Sequence, residues 1–301
     1  MTVIAYIYVC LVGGTAFMAI RMGMNAGFSP LYFAGIRFLL AGGILLGYLA
    51  LSRQLAPLTP LNIRRILQVG LFTTSIRFAA LYWAQQYIPS GQAALLSATY
   101  PLMVIMVHSV DGRNMPPRHQ WIGLLGGFTG VFLIMQAPVQ IPFSNLAWLG
   151  TLAVLGGELV NAIATITARK VLQSGIGAWQ MNALQMLFGS VLLLALAWIR
   201  EPFPTVQIWQ AGFIPLIYLT FAGSIGGTST FYWLVSKMGP IIPSTWSYFS
   251  PVIALTAGSL MLKEIFTVRQ LIGAVLIVVF VAIAQFWPRI IHAIRSHSSL
   301  D

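Results

Sequence analysis

Ten stretches of this chain are each long and apolar enough to cross a bilayer, and little sequence lies between them. A transmembrane helix needs about 20 mostly apolar residues. Charges, prolines and glycines divide the chain into segments near 3–21, 31–51, 66–86, 91–109, 119–136, 147–168, 178–199, 209–235, 241–262 and 270–288. Runs such as LIGAVLIVVFVAIA (271–284) lack the alternation of a barrel strand, so the spans are predicted to be helical. Hydrophobic residues make up 58% and charged residues 7%, against roughly 25% charged in a soluble domain. The fold class is therefore an all-α integral membrane protein whose surrounding partner is the lipid bilayer. The formal charge of +11 is scattered singly or in pairs between apolar stretches, as topology determinants are. It forms no basic face, so no nucleic acid is expected. The single cysteine, Cys10, excludes an intrachain disulfide and a cysteine-based metal cluster.

The first span reads as retained, since MTVIAYIY carries no positive charge ahead of its apolar run. With the N-terminus inside, the cytoplasmic loops and tail hold Arg53, Arg64, Arg65, Arg113, Arg118, Arg169, Lys170, Lys237, Arg289 and Arg295. The outer loops hold Arg21, Arg200, Lys263 and Arg269. The positive-inside rule then predicts both termini in the cytoplasm, and the bacterial inner membrane is the expected location.

The two halves align at a constant offset of 150 residues. Tyr82-Trp83 matches Tyr232-Trp233, and Ser97, Pro101, Gln120, Ile122 and Gly123 match Ser247, Pro251, Gln270, Ile272 and Gly273. Five spans per copy is an odd number, so the second copy must thread the membrane in the opposite sense. The prediction is ten transmembrane helices arranged as two inverted five-helix repeats, 1–140 and 141–301, the second ending in a short cytoplasmic tail. Inverted repeats are a common construction of secondary transporters, whose sites lie near the midplane beside interrupted helices. Spans four and nine carry Pro101 and Pro251. Proline lacks an N–H, so the carbonyls of Ser97 and Ser247 lose their helical partners. Both helices are expected to kink at equivalent depth, as a structural bend or as a substrate contact.

On SPLYFAGIRFLLAG (29–42), SGQAALLSATYPLMVIM (90–106), QWIGLLGGFTGVFLI (120–134), SPVIALTAGSLMLKE (250–264) and QLIGAVLIVVFV (270–281), the chain resembles the EamA-like ten-helix exporters of the drug/metabolite transporter superfamily. Arg37 and Glu264 fall where such proteins commonly carry an arginine and a glutamate. Asp111-Gly112-Arg113 departs from a usual Gly-Glu pair, and Phe280 from a usual glycine. The resemblance implies export of small metabolites, amino acids among them, through a central cavity.

Ionisable groups inside spans are costly and point to function. Glu158 is the one acid within a span, with Asn161 and Thr165 on its helical face. Arg77 occupies similar depth in span three. Two readings stay open: the two charges pair and lock two helices, or they line a wet cavity. In the second, Arg77 takes a substrate carboxylate as a bidentate fork and Glu158 holds an ammonium group or a coupling proton. Tyr82, Trp83, Tyr232 and Trp233, with Tyr100, Trp246 and Tyr248 beside the kinks, are candidate wall or gate residues, offering apolar rings with polar tips. Arg37 is assigned a gate or structural role, about 9 Å into span two, snorkelling to the outer interface. Gly126-x-x-x-Gly130 is assigned to helix packing.

The four histidines have no metal-ligand spacing, and no metal or cofactor is expected. Without a GxxxxGK[ST] loop, paired carboxylates, HExxH or GxSxG, the chain is not expected to be an enzyme. The expected function is secondary transport: export of a small amphipathic metabolite by alternating access through a cavity bounded by spans one, three, four, six, eight and nine. Proton antiport through Glu158 and facilitated diffusion both stay open, as do a monomer and a homodimer. The alternatives are a multidrug or other metabolite permease of the same fold, and a non-transporting scaffold or sensor whose centre would be plugged by side chains.

Overall fold

The computed structural model describes residues 1–88, 90–112, 117–135 and 145–253, with 268, 269, 272, 273, 275–280, 283 and 287. The later part of span nine, much of span ten, Glu264 and the C-terminal tail lie outside these residues. Among the described residues every regular element is helical and no strand occurs. In chain order the helices are α1 (Thr2–Asn25), α2 (Pro30–Leu51), α3 (Pro60–Val69), the π-helical π1 (Gly70–Arg77), α4 (Phe78–Ala84), α5 (Ser90–Ser97), α6 (Tyr100–Gly112) and α7 (Arg118–Met135). They continue as α8 (Asn145–Gln173), α9 (Ala178–Arg200), α10 (Val206–Tyr218), the π-helical π2 (Leu219–Thr228), α11 (Ser229–Met238) and α12 (Ile241–Ser244); residues 246–253 are helical again.

Six of the described stretches are long and apolar enough to cross a membrane: Thr2–Asn25, Pro30–Leu51, Ala93–Asp111, Leu146–Gln173, Ala178–Arg200 and Val206–Met238. Their outward faces carry exposed Leu11, Ile44, Leu152, Leu192 and Ile214, a surface that only lipid can solvate. The helices begin where sequence chemistry allows. Pro30 and Pro60 open α2 and α3, positions at which the missing N–H is not needed, and the Thr59 hydroxyl accepts the Asn62 N–H at 3.2 Å.

Helices long in sequence are interrupted twice by π-helix, and the two interruptions fall at the offset that relates Trp83 to Trp233. In each, a hydroxyl donates to the carbonyl five residues back: Ser75 to Gly70 at 3.4 Å and Thr228 to Gly223 at 3.2 Å. Extended π-helix is rare and concentrates at functional sites. The packing is reciprocal. α8 runs along α3, π1 and α4, while α1 runs along α10, π2 and α11; α2 and α9 lie against each other. Glycines permit the closest approaches. A Cβ at Gly42 would sit 3.0 Å from the Ala183 carbonyl oxygen, and one at Gly70 would sit 2.5 Å from that of Gln185. Gly126 and Gly130 take the assigned packing role: the Phe280 ring fills the space over Gly126, and Gly130 meets the backbone of Gly273 and Ile277.

Span four is interrupted just before Pro101, and span nine is interrupted at Thr245, ahead of Pro251, which lies within helical residues 246–253. α5 ends in a turn at Ala98 and Thr99, leaving Pro101 in the first turn of α6, where its missing N–H disturbs nothing. Thr99 Oγ1 donates to the Leu96 carbonyl at 2.7 Å, and Thr245 Oγ1 donates to that of Ile242 at 2.7 Å. The interruption at Thr245 lies about one helical turn before the position 150 residues beyond the turn at Ala98 and Thr99.

Candidate functional site

A cavity of about 100 Å³ lies where the halves meet. α1 contributes Val9, Val12, Gly13, Ala16, Phe17 and Ile20. Arg37 of α2, Thr73 and Arg77 of π1, Phe78 and Leu81 of α4, Tyr100 of α6 and Asn161 of α8 form further walls. The remainder comes from Gly223, Gly227 and Thr228 of π2, Phe231 and Tyr232 of α11, and Trp246. All six spans expected to bound it do so, and span two joins them through Arg37. The site falls between two apolar clusters, one around Phe17, Phe38, Leu81 and Leu219 and one around Val9, Tyr100, Ala162 and Tyr232, with Trp246 packed against both.

The Arg77 and Glu158 charges pair. Arg77 Nε donates to Glu158 Oε2 at 3.1 Å and Nη2 donates to Oε1 at 3.0 Å, the bidentate fork that best matches guanidinium to carboxylate. Ser97 Oγ donates to Oε1 at 2.8 Å and Asn161 Nδ2 to Oε2 at 3.4 Å. Glu158 thus receives four hydrogen bonds, about the number its lone pairs can accept. Thr73 Oγ1 donates to Asn161 Oδ1 at 3.1 Å, and Tyr100 and Thr165 share a 2.6 Å hydrogen bond. Glu158 is 1% exposed and stands behind the wall; Arg77 and Asn161 stand in it.

Arg37 is placed differently from the sequence expectation. It is 3% exposed and turns inward instead of snorkelling to an interface. Its Nε donates to Ser224 Oγ at 2.8 Å and its Nη1 to Tyr82 Oη at 2.8 Å. The guanidinium carbon lies 4.7 Å from the Phe38 ring centre and 5.4 Å from that of Phe78, inside cation–π range. Neutral acceptors and ring faces hold it in the interior. Among the described residues it makes no ion pair.

Residues 1–136 and 148–285 match the EamA-like transporter family. The chain belongs to that family. Among the relatives of this EamA-like chain, the Escherichia coli (strain K12) protein named uncharacterized inner membrane transporter YedA is 28% identical, over 83% of this chain and 79% of its own. The uncharacterized transporter YvbV of Bacillus subtilis (strain 168) is 29% identical, over 90% of each chain. Protein PecM of Dickeya dadantii (strain 3937) is 26% identical, over 92% of this chain and 90% of its own. A solved crystal structure superposes with a TM-score of 0.71 at 18% identity, covering 94% of this chain and 98% of that one, which shows the fold. Family and apolar helices together make this a multi-pass membrane transporter.

Of the residues singled out in the sequence of this EamA-like chain, Arg77, Tyr100, Asn161, Tyr232 and Trp246 line the cavity, as does Arg37. Ser97 acts through its hydroxyl on Glu158 and not through the carbonyl. Tyr82 stands one layer back, holding Arg37. Trp83 packs edge-on against Tyr87 at 5.2 Å, and Trp233 packs against the second apolar cluster. Ser247 spends its hydroxyl on the Ser244 carbonyl at 3.2 Å. Tyr248 donates to the Leu124 carbonyl at 2.8 Å and lies over Gly127. Pro101 and Pro251 line nothing. Gln180, Asn182 and Gln185 of α9 are buried: Gln180 exchanges hydrogen bonds with the backbone of Ala56 in the loop before α3, at 2.9 and 2.8 Å, and the other two link helices. Thr74 Oγ1 donates to Gln185 Oε1 at 2.6 Å, Gln185 Nε2 to Asn182 Oδ1 at 2.9 Å, and Asn182 Nδ2 to the Ser224 carbonyl at 3.0 Å and Ser229 Oγ at 2.8 Å. This chain of bonds joins π1 to π2 through α9.

Proposed function

We propose that this chain is a secondary transporter of the bacterial inner membrane that exports a small amphipathic metabolite by alternating access. Ten helices form two oppositely threaded halves, 1–140 and 141–301, with both termini cytoplasmic. The observation that carries the proposal is the cavity: α1, π1, α4 and α6 supply one side, and π2, α11 and Trp246 supply the other. The reciprocal packing of α1 on π2 and of α8 on π1 supports a two-fold relation between halves, as do the family matches to 1–136 and 148–285. Rocking of such halves about a shared pocket is the usual course of alternating access.

An open, polar-edged centre supports transport over a scaffold, which would fill it. Glu158 has its acceptors occupied, which counts against a permease for hydrophobic cations and against Glu158 as the seat of an ammonium group. A metabolite bearing a carboxylate suits a wall that carries Arg37 beside the paired Arg77.

Efflux of preloaded labelled amino acids and short carboxylates from proteoliposomes tests the proposal. Asn161→Leu on one side and Gly227→Leu on the other, each narrowing the cavity, are expected to lower efflux at least tenfold. Efflux at the wild-type rate in both variants would place the route elsewhere.

A further inference from the structure

We propose that the central cavity selects solutes of net negative charge, small monocarboxylates above all, and that Arg37 is the residue that reads that charge. The inference rests on the transport reading above and names its substrate class.

Three described charges stand in or beside the cavity, and two of them cancel. Arg77 and Glu158 face each other through two hydrogen bonds, and Ser97 and Asn161 occupy what remains of the carboxylate. No capacity is left on Glu158 for a substrate ammonium. Arg37 is the charge left over. A guanidinium has five N–H donors, and the hydrogen bonds of Arg37 go to Ser224 Oγ and Tyr82 Oη, neither of which is charged. The rings of Phe38 and Phe78 stabilise the cation without neutralising it.

A buried charge without a counter-charge is destabilising, and in a membrane helix such a group usually faces a pathway. Arg37 meets the cavity beside Gly223, where an added Cβ would lie 2.9 Å from Nη2. The missing side chain leaves that end of the guanidinium uncovered. A carboxylate arriving there supplies the missing charge and accepts in the geometry guanidinium favours. A cation meets like charge. A zwitterion satisfies Arg37 but leaves its ammonium with only neutral hydroxyl and amide oxygens on a wall otherwise made of Val12, Phe17, Ile20 and Leu81, with no carboxylate free to replace its lost hydration.

Size narrows the class further. A dry 150 Å³ cavity holds benzene, so about 100 Å³ suits a solute of roughly four to six heavy atoms by the same scale. Apolar walls opposite one cationic end fit a short aliphatic acid.

A charge series of nearly constant shape tests this: propionate, alanine and propylamine, titrated against purified protein in nanodiscs by saturation-transfer NMR, with proteoliposome flux measured separately. Propionate is expected to bind at least tenfold more tightly than alanine, and propylamine not to bind. Arg37→Gln should abolish the preference. Arg37→Lys should keep the order of the three with weaker binding, and Gly223→Ala should weaken propionate several-fold by covering Nη2. Equal or tighter binding of alanine or propylamine to the wild type, no binding of any of the three, or undiminished propionate binding in Arg37→Gln overturns the inference. If Arg37→Gln does not fold, the wild-type series with Arg37→Lys decides. Propionate binding without flux keeps the selectivity and removes the transport reading; flux of alanine ahead of propionate does the reverse.

Discussion

The two π-helical segments share a backbone and divide the chemistry unequally. π1 presents Thr73 and Arg77 to the cavity; at the repeat offset, π2 presents Gly223 and Gly227. One side supplies charge, held in place by α8, and the other supplies space, into which Arg37 lies from α2. The present arrangement keeps the hinge-like backbone on both sides and confines the ion pair to one. Two buried arginines result with opposite circumstances: Arg77 is matched by a carboxylate and Arg37 by two hydroxyls.

The most severe way to break that contrast is to remove the counter-charge. Glu158→Leu leaves Arg77 buried and unpaired and should lower stability by about 3–5 kcal/mol, read as the unfolding midpoint of purified protein. Pairing it with Arg77→Met should recover most of the loss, because a buried ion pair replaced by apolar residues is often neutral. Arg37→Gln gives up bonds to neutral hydroxyls but also removes an unpaired buried charge, so the two effects oppose and stability should change by less than about 1–2 kcal/mol. An equal loss in Glu158→Leu and Arg37→Gln would mean that both arginines are structural.

This contrast could not be read from the chain alone. The helical membrane-spanning class and the helices around the cavity are legible in hydropathy and spacing, which are averages over many residues. Pairing depends on the rotation of single side chains: that Glu158 and Arg77 face each other is set by α8 running along π1. Arg37 was assigned to an interface because its depth in span two is shallow. Depth says nothing about facing, and Ser224, its acceptor, lies 187 residues away in sequence. Symmetry or adjacency to a proline suggests Trp83, Trp233 and Tyr248 as wall residues, and a freed carbonyl suggests Ser247 as a contact. Symmetry fixes the backbone, and each of those side chains found a nearer partner.

Close backbone contact separates the π segments in a second way. At Gly189 of α9 an added Cβ would lie 2.7 Å from the Gly70 carbonyl oxygen and 2.4 Å from Thr74 Cβ, so π1 is clamped. Gly189→Ala should lower stability by about 1–3 kcal/mol. At Gly223 of π2 the nearest atom is the movable end of Arg37, and Gly223→Ala should leave the unfolding midpoint close to wild type while weakening anion binding. Reversed sensitivities would show π2 to be the rigid partner. Asn182, whose amide bridges to Ser224 and Ser229, tests whether the two segments are linked. Asn182→Leu leaves Gln185 and Ser229 short of partners and should lower stability by about 1–2 kcal/mol, with flux falling in proportion to a loosened π2.

The smallest effect concerns what anchors the helix that carries Arg37. Glu201, in the loop after α9, accepts the N–H groups of Leu31 and Tyr32 at 3.0 Å, so a residue of the second half caps the first turn of α2, where a carboxylate also meets the positive end of the helix dipole. Burial raises the Glu201 carboxyl above the ordinary glutamate value, and the two N–H donors pull it back only in part. A group that holds its proton more tightly folded than unfolded contributes stability that is present below the unfolded pKa and lost as pH rises through the folded one. Glu201→Gln removes that titration. The stability difference between wild type and Glu201→Gln should therefore shift against the wild type as pH rises through the interval just above the usual glutamate range, by a few tenths of a kcal/mol for a half-exposed group. A difference that instead grows in favour of the wild type with pH would show that the N–H bonds and the dipole outweigh burial, and that the ionised cap holds α2, and Arg37 with it, in place.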